Sequence, residues 1–134
     1  MSAMRSGVLF VSPHCEDASV LSRMLNSVSM KLEHAADFKR ACAAIGKDPY
    51  EVILTEAHLP DGTWLDVLSL ARQFTPEPEV IVTDRTADGR FWAEALNLGA
   101  YDLIAQPFEA AEVQRILSNA SSRPAGRTVA RAAC

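Results

Sequence analysis

The chain has 134 residues, of which 49% are hydrophobic and 22% are charged, and this composition fits one globular domain with a single core. Its net charge of -4 argues against a nucleic-acid-binding domain, because such domains are usually basic. No apolar run approaches the roughly 20 residues of a membrane helix, and no secretion signal is found, so we expect a cytoplasmic protein.

The three cysteines give no sign of a disulfide framework or of a structural zinc site. Cys15, Cys42 and Cys134 are widely separated, and the sequence has no C-x-x-C pair. Reduced thiols in a cytosolic protein are therefore the simplest interpretation. A redox-sensing role for Cys15 is an alternative, but a small, partly buried side chain at the start of a helix is the preferred one.

Short apolar runs alternate with segments of helical periodicity in the first part of the chain. Val8–Val11 predicts a buried strand, and the apolar spacing from Cys15 to about Met30 predicts an amphipathic helix. Leu32–Ala36 fits a short second strand, although periodicity alone also allows a continuing helix. We expect Gly46 to end a second helix, whose apolar positions are Phe38, Ala41, Cys42 and Ile45.

The central part of the chain predicts a strand, a turn, a helix and another strand. Glu51–Thr55 is the third predicted strand, and Glu79–Thr83 is the fourth. Between them, Leu59–Gly62 predicts a turn, because proline fixes φ and glycine tolerates positive φ. The third helix is predicted from the apolar residues Trp64, Leu65, Val67, Leu68 and Ala71.

The last predicted elements are a helix, a short strand and a further helix. Asp102–Ala105 is the fifth predicted strand. The helix before it is expected to place Phe91, Ala95 and Leu98 on one face and to be capped by Gly99. The fifth helix is predicted from Phe108, Val113, Ile116 and Leu117.

Residues 121–134 differ in composition from the rest of the chain and predict a tail or linker. This segment contains three arginines and few large apolar residues. Arg123, Arg127 and Arg131 repeat every four positions, which would also allow a basic helical stripe. Pro124 and Gly126 argue against that helix.

Five strands that alternate with five helices predict an α/β domain. Apolar strands between amphipathic helices indicate a parallel sheet covered on both faces, and its crossovers are right-handed. We therefore predict a doubly wound, flavodoxin-like (βα)5 domain with strand order 2-1-3-4-5. Ligand chemistry in such a sheet lies at the carboxyl ends of the strands. These ends are predicted at Ser12, Glu56, Asp84 and Gln106.

Three segments resemble the receiver domains of two-component response regulators. Val52–Gly62 is similar to the third strand and following loop of that family, and Val8–Val11 with its polar loop is similar to the first strand. Leu98–Phe108 resembles the stretch Gly-Ala…Lys-Pro-Phe. The order and spacing of the three segments match the family, so the resemblance covers residues 8 to about 120 and assigns residues 1–120 to a receiver-like domain.

The resemblance implies phosphoryl transfer from a histidine kinase to an aspartate, yet the sequence departs from the required pattern. The family uses two acids that hold Mg²⁺, a phosphoacceptor aspartate, a Thr or Ser, and a Lys. The Thr or Ser position aligns with Asp84, although a shift of one residue would bring in Thr83 instead. The other family positions align with Ser12 and Pro13 for the acid pair, Glu56 for the phosphoacceptor and Gln106 for the lysine.

Glu56 has two interpretations under this alignment. It could mimic the phosphorylated aspartate, or it could be an inert polar group in a degenerate site, which is the preferred interpretation. Glu56 and Asp84 would also repel each other unless a positive group such as Arg85 lies nearby. A metal site formed by Glu56, Asp84 and perhaps His14 is a further alternative. We expect Mg²⁺ binding to be lost and no cofactor to be required.

The resemblance also predicts a cis peptide bond before Pro107 and a partner-binding face. Receiver domains commonly bind partners or dimerise through the fourth helix, fifth strand and fifth helix, which would place Trp92, Tyr101 and Leu103 near that face. We expect a binding module that contacts a signalling protein or a second copy, but not nucleic acid or membrane. A ligand-regulated switch is the rival hypothesis. A small enzyme is disfavoured, since the sequence has no Gly-rich phosphate loop and no paired nucleophile and base.

Overall fold

The computed structural model describes residues 6–85 and 88–121. Within them, strands and helices alternate as the sequence predicts. The elements, in chain order, are β1 (Ser6–Val11), α1 (Cys15–Asn26), β2 (Met30–Ala35), α2 (Phe38–Lys47), β3 (Val52–Glu56), β4 (His58–Leu59), β5 (Gly62–Thr63), α3 (Trp64–Ala71), β6 (Glu79–Asp84), α4 (Gly89–Leu98), β7 (Asp102–Ala105) and α5 (Ala110–Ser121).

The main sheet has five parallel strands in the order β2-β1-β3-β6-β7. β6 and β7 correspond to the fourth and fifth predicted strands, so the predicted order 2-1-3-4-5 and the flavodoxin-like fold are confirmed. The two-residue strands β4 and β5 form a separate antiparallel hairpin, in which His58 pairs with Thr63 and Leu59 with Gly62. The sequence predicts the turn at this place but not the pairing around it.

Both faces of the sheet are buried, and alternate residues of each strand belong to different hydrophobic clusters. In β1, Leu9 and Val11 pack into the cluster that contains Val67 of α3 and Ala95 of α4. Val8 and Phe10 pack into the cluster on the other face, together with residues of α1 and α5. This alternation follows from the two-residue period of a strand, and it explains why β1 and β3 read as continuous apolar runs.

The structure corrects the predicted bounds of α1, β2, α2 and α5. α1 ends at Asn26 and not near Met30, because the chain reverses direction through Ser29, which has a φ of 58°. β2 therefore begins at Met30, two residues before the predicted strand. α2 continues through Gly46 to Lys47, and α5 begins at Ala110, so Phe108 lies before that helix.

Side chains cap the starts of three helices, and a glycine ends one of them. Asp37 and Asp88 accept hydrogen bonds from the backbone at the starts of α2 and α4, and Thr63 forms a capping box with Asp66 at the start of α3. Gly99, with φ of 124°, ends α4 as predicted. No helix among the described residues is long and apolar enough to cross a membrane. Residues 122–134 of the predicted tail lie outside the described part of the chain.

Candidate functional site

Ser12 and Glu56 lie side by side at the carboxyl ends of the adjacent strands β1 and β3. The Ser12 hydroxyl donates a hydrogen bond to Oε2 of Glu56, with 2.9 Å between the two oxygens. Both residues are buried: Ser12 has no exposed surface and Glu56 is 8% exposed. A buried carboxylate is costly unless it is hydrogen-bonded, and Ser12 supplies the bond in this structure.

Further hydrogen bonds hold Ser12 through its backbone and its hydroxyl. Its amide donates to the carbonyl of Ala35 over 2.9 Å, and its Oγ accepts from the amide of His14 over 3.0 Å. The ring of His34 stacks on Phe10, with 5.8 Å between the ring centroids, and its Nε2 lies 2.7 Å from the Ser12 carbonyl oxygen. Ser12 therefore connects the edge strand β2 with the end of β3.

Thr83 and Gln106 form a second pair at the same edge of the sheet. Thr83 is fully buried in β6, where it pairs in register with Glu56 of β3. Nε2 of Gln106 donates to Oγ1 of Thr83 over 3.1 Å. Gln106 directly follows β7, so this bond connects the ends of β6 and β7, where the resemblance expects the family's Thr or Ser and Lys positions.

Thr83 is the β6 residue whose side chain is hydrogen-bonded to Gln106. Asp84 follows it by one residue, is partly exposed and pairs in register with Ala105 of β7. Because successive side chains of a strand point to opposite faces, only one of the two can share the site with Gln106. The geometry therefore favours the shifted alignment, in which a hydroxyl residue occupies the Thr or Ser position.

Arg85, which sequence analysis considered as a counter-charge for Glu56 and Asp84, forms an ion pair with Asp17. Its guanidinium nitrogen lies 3.0 Å from Oδ2 of Asp17, in the first turn of α1. This contact connects the segment after β6 with the helix that follows β1. The negative charge of Glu56 is thus stabilised by a neutral hydroxyl and not by this arginine.

The side chains at this edge do not match a Mg²⁺ site. Mg²⁺ prefers oxygen ligands that include one or two carboxylates in octahedral geometry. Pro13, at one of the two acid positions, is exposed and has no side-chain ligand, and the carboxylate of Glu56 is bonded to Ser12. Across residues 6–85 and 88–121, no three His, Cys, Asp or Glu side chains are placed to hold a metal ion. The alternative ligand set of Glu56, Asp84 and His14 is therefore not assembled.

The peptide bond between Gln106 and Pro107 is cis, as the resemblance predicts. A second cis bond, between Thr75 and Pro76, has no counterpart in the sequence analysis. Of the thiols in the described residues, Cys15 is exposed and Cys42 is partly buried, and both are free. Burial, with a smaller contribution from the charge of Asp61, raises the pKa of the Cys42 thiol.

The structure corrects one of the three predicted partner-face residues. Leu103 is 2% exposed and belongs to the hydrophobic core, so it is not available to a partner. Trp92 and Tyr101 are partly buried, each packed against one of the two clusters. The most exposed large apolar side chain of α4 is Leu96, at 48%, which the sequence did not single out. Its position four residues after Trp92 on a helix was the available signal.

Comparisons with known proteins identify the family of the chain. Residues 8–118 match the family model described as the response regulator receiver domain. The chain is 23% identical over 116 residues to the response regulator protein PilR of Pseudomonas aeruginosa; this match covers 87% of the chain but 26% of PilR. The chain thus spans about a quarter of the length of the curated relative it matches.

Solved structures share the fold at low sequence identity. The receiver domain of a LuxO repressor protein from Vibrio parahaemolyticus superposes with a TM-score of 0.82 at 20% identity, covering 90% of this chain and 92% of that one. A response regulator from Chloroflexus aurantiacus gives 0.80 at 20% identity, with 90% and 100% covered. The beryllofluoride-activated NtrC4 receiver domain dimer gives 0.79 at 23% identity, with 87% and 96% covered.

Proposed function

Because the chain belongs to the response regulator receiver domain family, we propose that it is an atypical receiver that signals by protein–protein contact without phosphorylation of an aspartate. Receiver domains are signalling modules of two-component systems and are generally not enzymes. The observation that carries the proposal is the contact between Glu56, at the phosphoacceptor position, and Ser12, at an acid position. A hydroxyl–carboxylate pair stands where the family has two carboxylates and a metal ion.

The loss of positive charge supports the proposal. Receiver domains normally bind Mg²⁺ at their acidic site, and phosphoryl transfer depends on cations that neutralise the charge of the transferred group. Ser12 and Pro13 provide no carboxylate for a metal ion, and Gln106 replaces a cationic side chain with a neutral amide. Gln106 instead donates its hydrogen bond to Thr83. An acyl phosphate on Glu56 would have no cation from these positions.

One observation favours a second candidate, a constitutive mimic of the phosphorylated state. Thr83 is buried and pairs in register with Glu56, so a carboxylate and a hydroxyl occupy neighbouring positions on β3 and β6. A mimic would have to engage Thr83 or Gln106. The hydrogen bond that Glu56 accepts from Ser12 is the reason that we prefer the inert interpretation.

The proposed partner surface comprises α4, β7 and α5, and its large apolar residues include Trp92, Leu96, Leu98 and Tyr101. Receiver domains interact with other signalling proteins, and one structural neighbour, the NtrC4 receiver domain, is a dimer. For this chain, the exposure of Leu96 beside the half-buried Trp92 supports a protein partner or a second copy. We propose a cytoplasmic location, in keeping with the free thiols of Cys15 and Cys42.

Thermal unfolding with and without Mg²⁺ tests the proposed loss of the metal site. A ligand that binds only the folded state raises the melting temperature, by an amount that grows with its concentration above Kd. We expect Mg²⁺ to leave the melting temperature of the wild type unchanged relative to an equal ionic strength of NaCl. The Ser12→Asp, Pro13→Asp double variant should gain several degrees with Mg²⁺. A Mg²⁺-specific rise in the wild type would refute the proposal.

A further inference from the structure

The polar side chains at the carboxyl edge of the sheet are divided into two closed pairs. Ser12 is bonded to Glu56 across β1 and β3, and Gln106 is bonded to Thr83 across β7 and β6. Glu56 and Thr83 are register partners on adjacent strands, but their side chains are not bonded to each other. Glu56 accepts from Ser12, at the end of β1, and Thr83 accepts from Gln106, which follows β7. Among the described residues, every buried side-chain nitrogen or oxygen has a hydrogen-bond partner. The buried polar side-chain atoms at this edge therefore find their hydrogen-bond partners within the chain.

The direction of the Ser12 hydroxyl is fixed by its surroundings. A serine hydroxyl has one hydrogen to donate and two lone pairs that accept. The His14 amide donates to this oxygen, and the Ser12 hydrogen is directed to Glu56. The Ser12 backbone is held by the carbonyl of Ala35 and by His34. The hydroxyl thus provides a pre-oriented donor on the β1 side of the carboxylate.

Within residues 6–85 and 88–121, the ion pairs do not include Glu56. Arg85, two residues after Thr83, binds the carboxylate of Asp17 over 3.0 Å. In the second pair, the Gln106 amide donates to Thr83, and the Thr83 hydroxyl has a hydrogen of its own to donate. Among the described residues, Ser12 supplies the side-chain hydrogen bond that Glu56 accepts.

We infer that Ser12 is a positioning residue, which holds the Glu56 carboxylate toward β1 and keeps it from engaging Thr83 and Gln106. This inference rests on the proposed function and deepens it, because it explains why a buried carboxylate at the phosphoacceptor position does not act as a phosphoryl mimic. Without the hydroxyl, Glu56 would be a buried charge that lacks a donor, and such a group is strongly driven to find another one. The Gln106 amide and the Thr83 hydroxyl lie at the same edge of the sheet.

NMR spectroscopy of the full chain tests the inference through the side-chain amide of Gln106. In Ser12→Ala, we expect the Gln106 NH₂ signals to shift more than those of Gln73, an exposed residue beyond α3 that serves as a reference in the same spectrum. In a Glu56→Ala background, the additional change Ser12→Ala should leave the Gln106 signals in place. The comparison separates a released carboxylate from simple damage to the packing around Ser12.

Two results would overturn the inference: Gln106 signals that do not move in Ser12→Ala, or signals that move equally when Glu56 is absent. If Ser12→Ala does not fold, Ser12→Cys makes the same comparison with a side chain of similar size and a weaker donor. The readout is independent of phosphorylation. A wild type that accepts a phosphoryl group would overturn the proposed function, whereas unchanged Gln106 signals would overturn only the positioning role.

Discussion

At the scale of single residues, the site illustrates how a hydrogen bond from a neutral hydroxyl accommodates a buried carboxylate. Glu56 is 8% exposed, and its hydrogen bond comes from the fully buried Ser12. A hydrogen bond to a charged group contributes about 1.5–3 kcal/mol, and losing it while the carboxylate stays buried costs at least that much. Ser12 and Glu56 consequently form one unit, and a change in either residue alters the environment of the other.

Gly99 shows a second residue-scale constraint, at the end of α4. Its φ of 124° lies in a region that side chains with a Cβ rarely adopt, and a Cβ at this position would meet the guanidinium of Arg72. We predict that Gly99→Ala lowers the free energy of unfolding by about 1–2 kcal/mol. Urea denaturation monitored by circular dichroism measures the change.

Gly46 is the matched control, because it lies inside α2 and a Cβ there would meet nothing within 4 Å. Gly46→Ala should raise the free energy of unfolding by about 0.5–1 kcal/mol, since alanine favours the helix. Equal effects of the two substitutions would show that the positive φ of Gly99 is not what makes this residue necessary.

At the scale of elements, the β4–β5 hairpin is attached to the start of α2 by one carboxylate. Asp61 accepts hydrogen bonds from the amides of Phe38, over 2.8 Å, and Lys39, over 3.1 Å. The hydrogen bond from Phe38 is the main reason that the pKa of Asp61 lies below its usual value of 3.8. The position at a helix N-terminus also suits a negative charge.

This attachment predicts a pH-dependent contribution to stability. A carboxyl group whose pKa is lower in the folded state stabilises the fold above its unfolded pKa, and the contribution is lost as the pH falls through the folded pKa. Asp61→Asn should therefore lower the melting temperature at neutral pH, and the difference from wild type should shrink as the pH decreases below about 4.

Thermal melts of wild type and Asp61→Asn across this pH range provide the measurement. Glu94→Gln is the control, because Glu94 is an exposed residue in the middle of α4. A difference between wild type and Asp61→Asn that is the same at every pH would contradict the role of the Asp61 charge.

The sequence predicts the main elements well because their signals are local. Apolar runs and helical spacing give the five sheet strands and five helices, and glycine at position 99 ends α4 as expected. The bounds of α1 differ because the reversal at Ser29 places a serine at positive φ, which periodicity does not indicate. The β4–β5 pairing is likewise too short to leave a pattern.

At the site, the sequence predicts which strand ends meet but not which side chains touch. Ser12, Glu56 and Gln106 were expected at the carboxyl edge, because parallel strands end together there. The choice of Thr83 over Asp84 and the contact of His34 with the Ser12 carbonyl depend on strand register and loop conformation. The prediction that Leu103 lies on the partner surface is wrong, because its side chain packs into the hydrophobic cluster on one face of the sheet.

At the scale of the whole molecule, the exposed apolar residues distinguish two surfaces. Leu96 of α4 and Leu65 of α3 are similarly exposed, at 48% and 45%. Only Leu96 belongs to the proposed partner surface. We predict that Leu96→Lys weakens binding to a second copy or a signalling partner at least tenfold, whereas Leu65→Lys does not.

Sedimentation velocity over a concentration series measures association between copies, and thermal melts check that both variants fold. Surface substitutions of this kind change the free energy of unfolding by about 0.5 kcal/mol or less. Association that is lost in Leu65→Lys and kept in Leu96→Lys would place the partner surface on α3.

At the scale of the whole domain, we propose that the chain has the receiver fold without the receiver's phosphoryl chemistry. Intact-mass measurement after incubation with acetyl phosphate and Mg²⁺ tests it most directly, using wild type, Glu56→Asp, and a variant with all four replacements Ser12→Asp, Pro13→Asp, Glu56→Asp and Gln106→Lys. We predict that only the fourfold variant gains the mass of a phosphoryl group. A gain in Glu56→Asp would contradict the claim that Ser12, Pro13 and Gln106 disable the site, and a gain in the wild type would contradict the whole account.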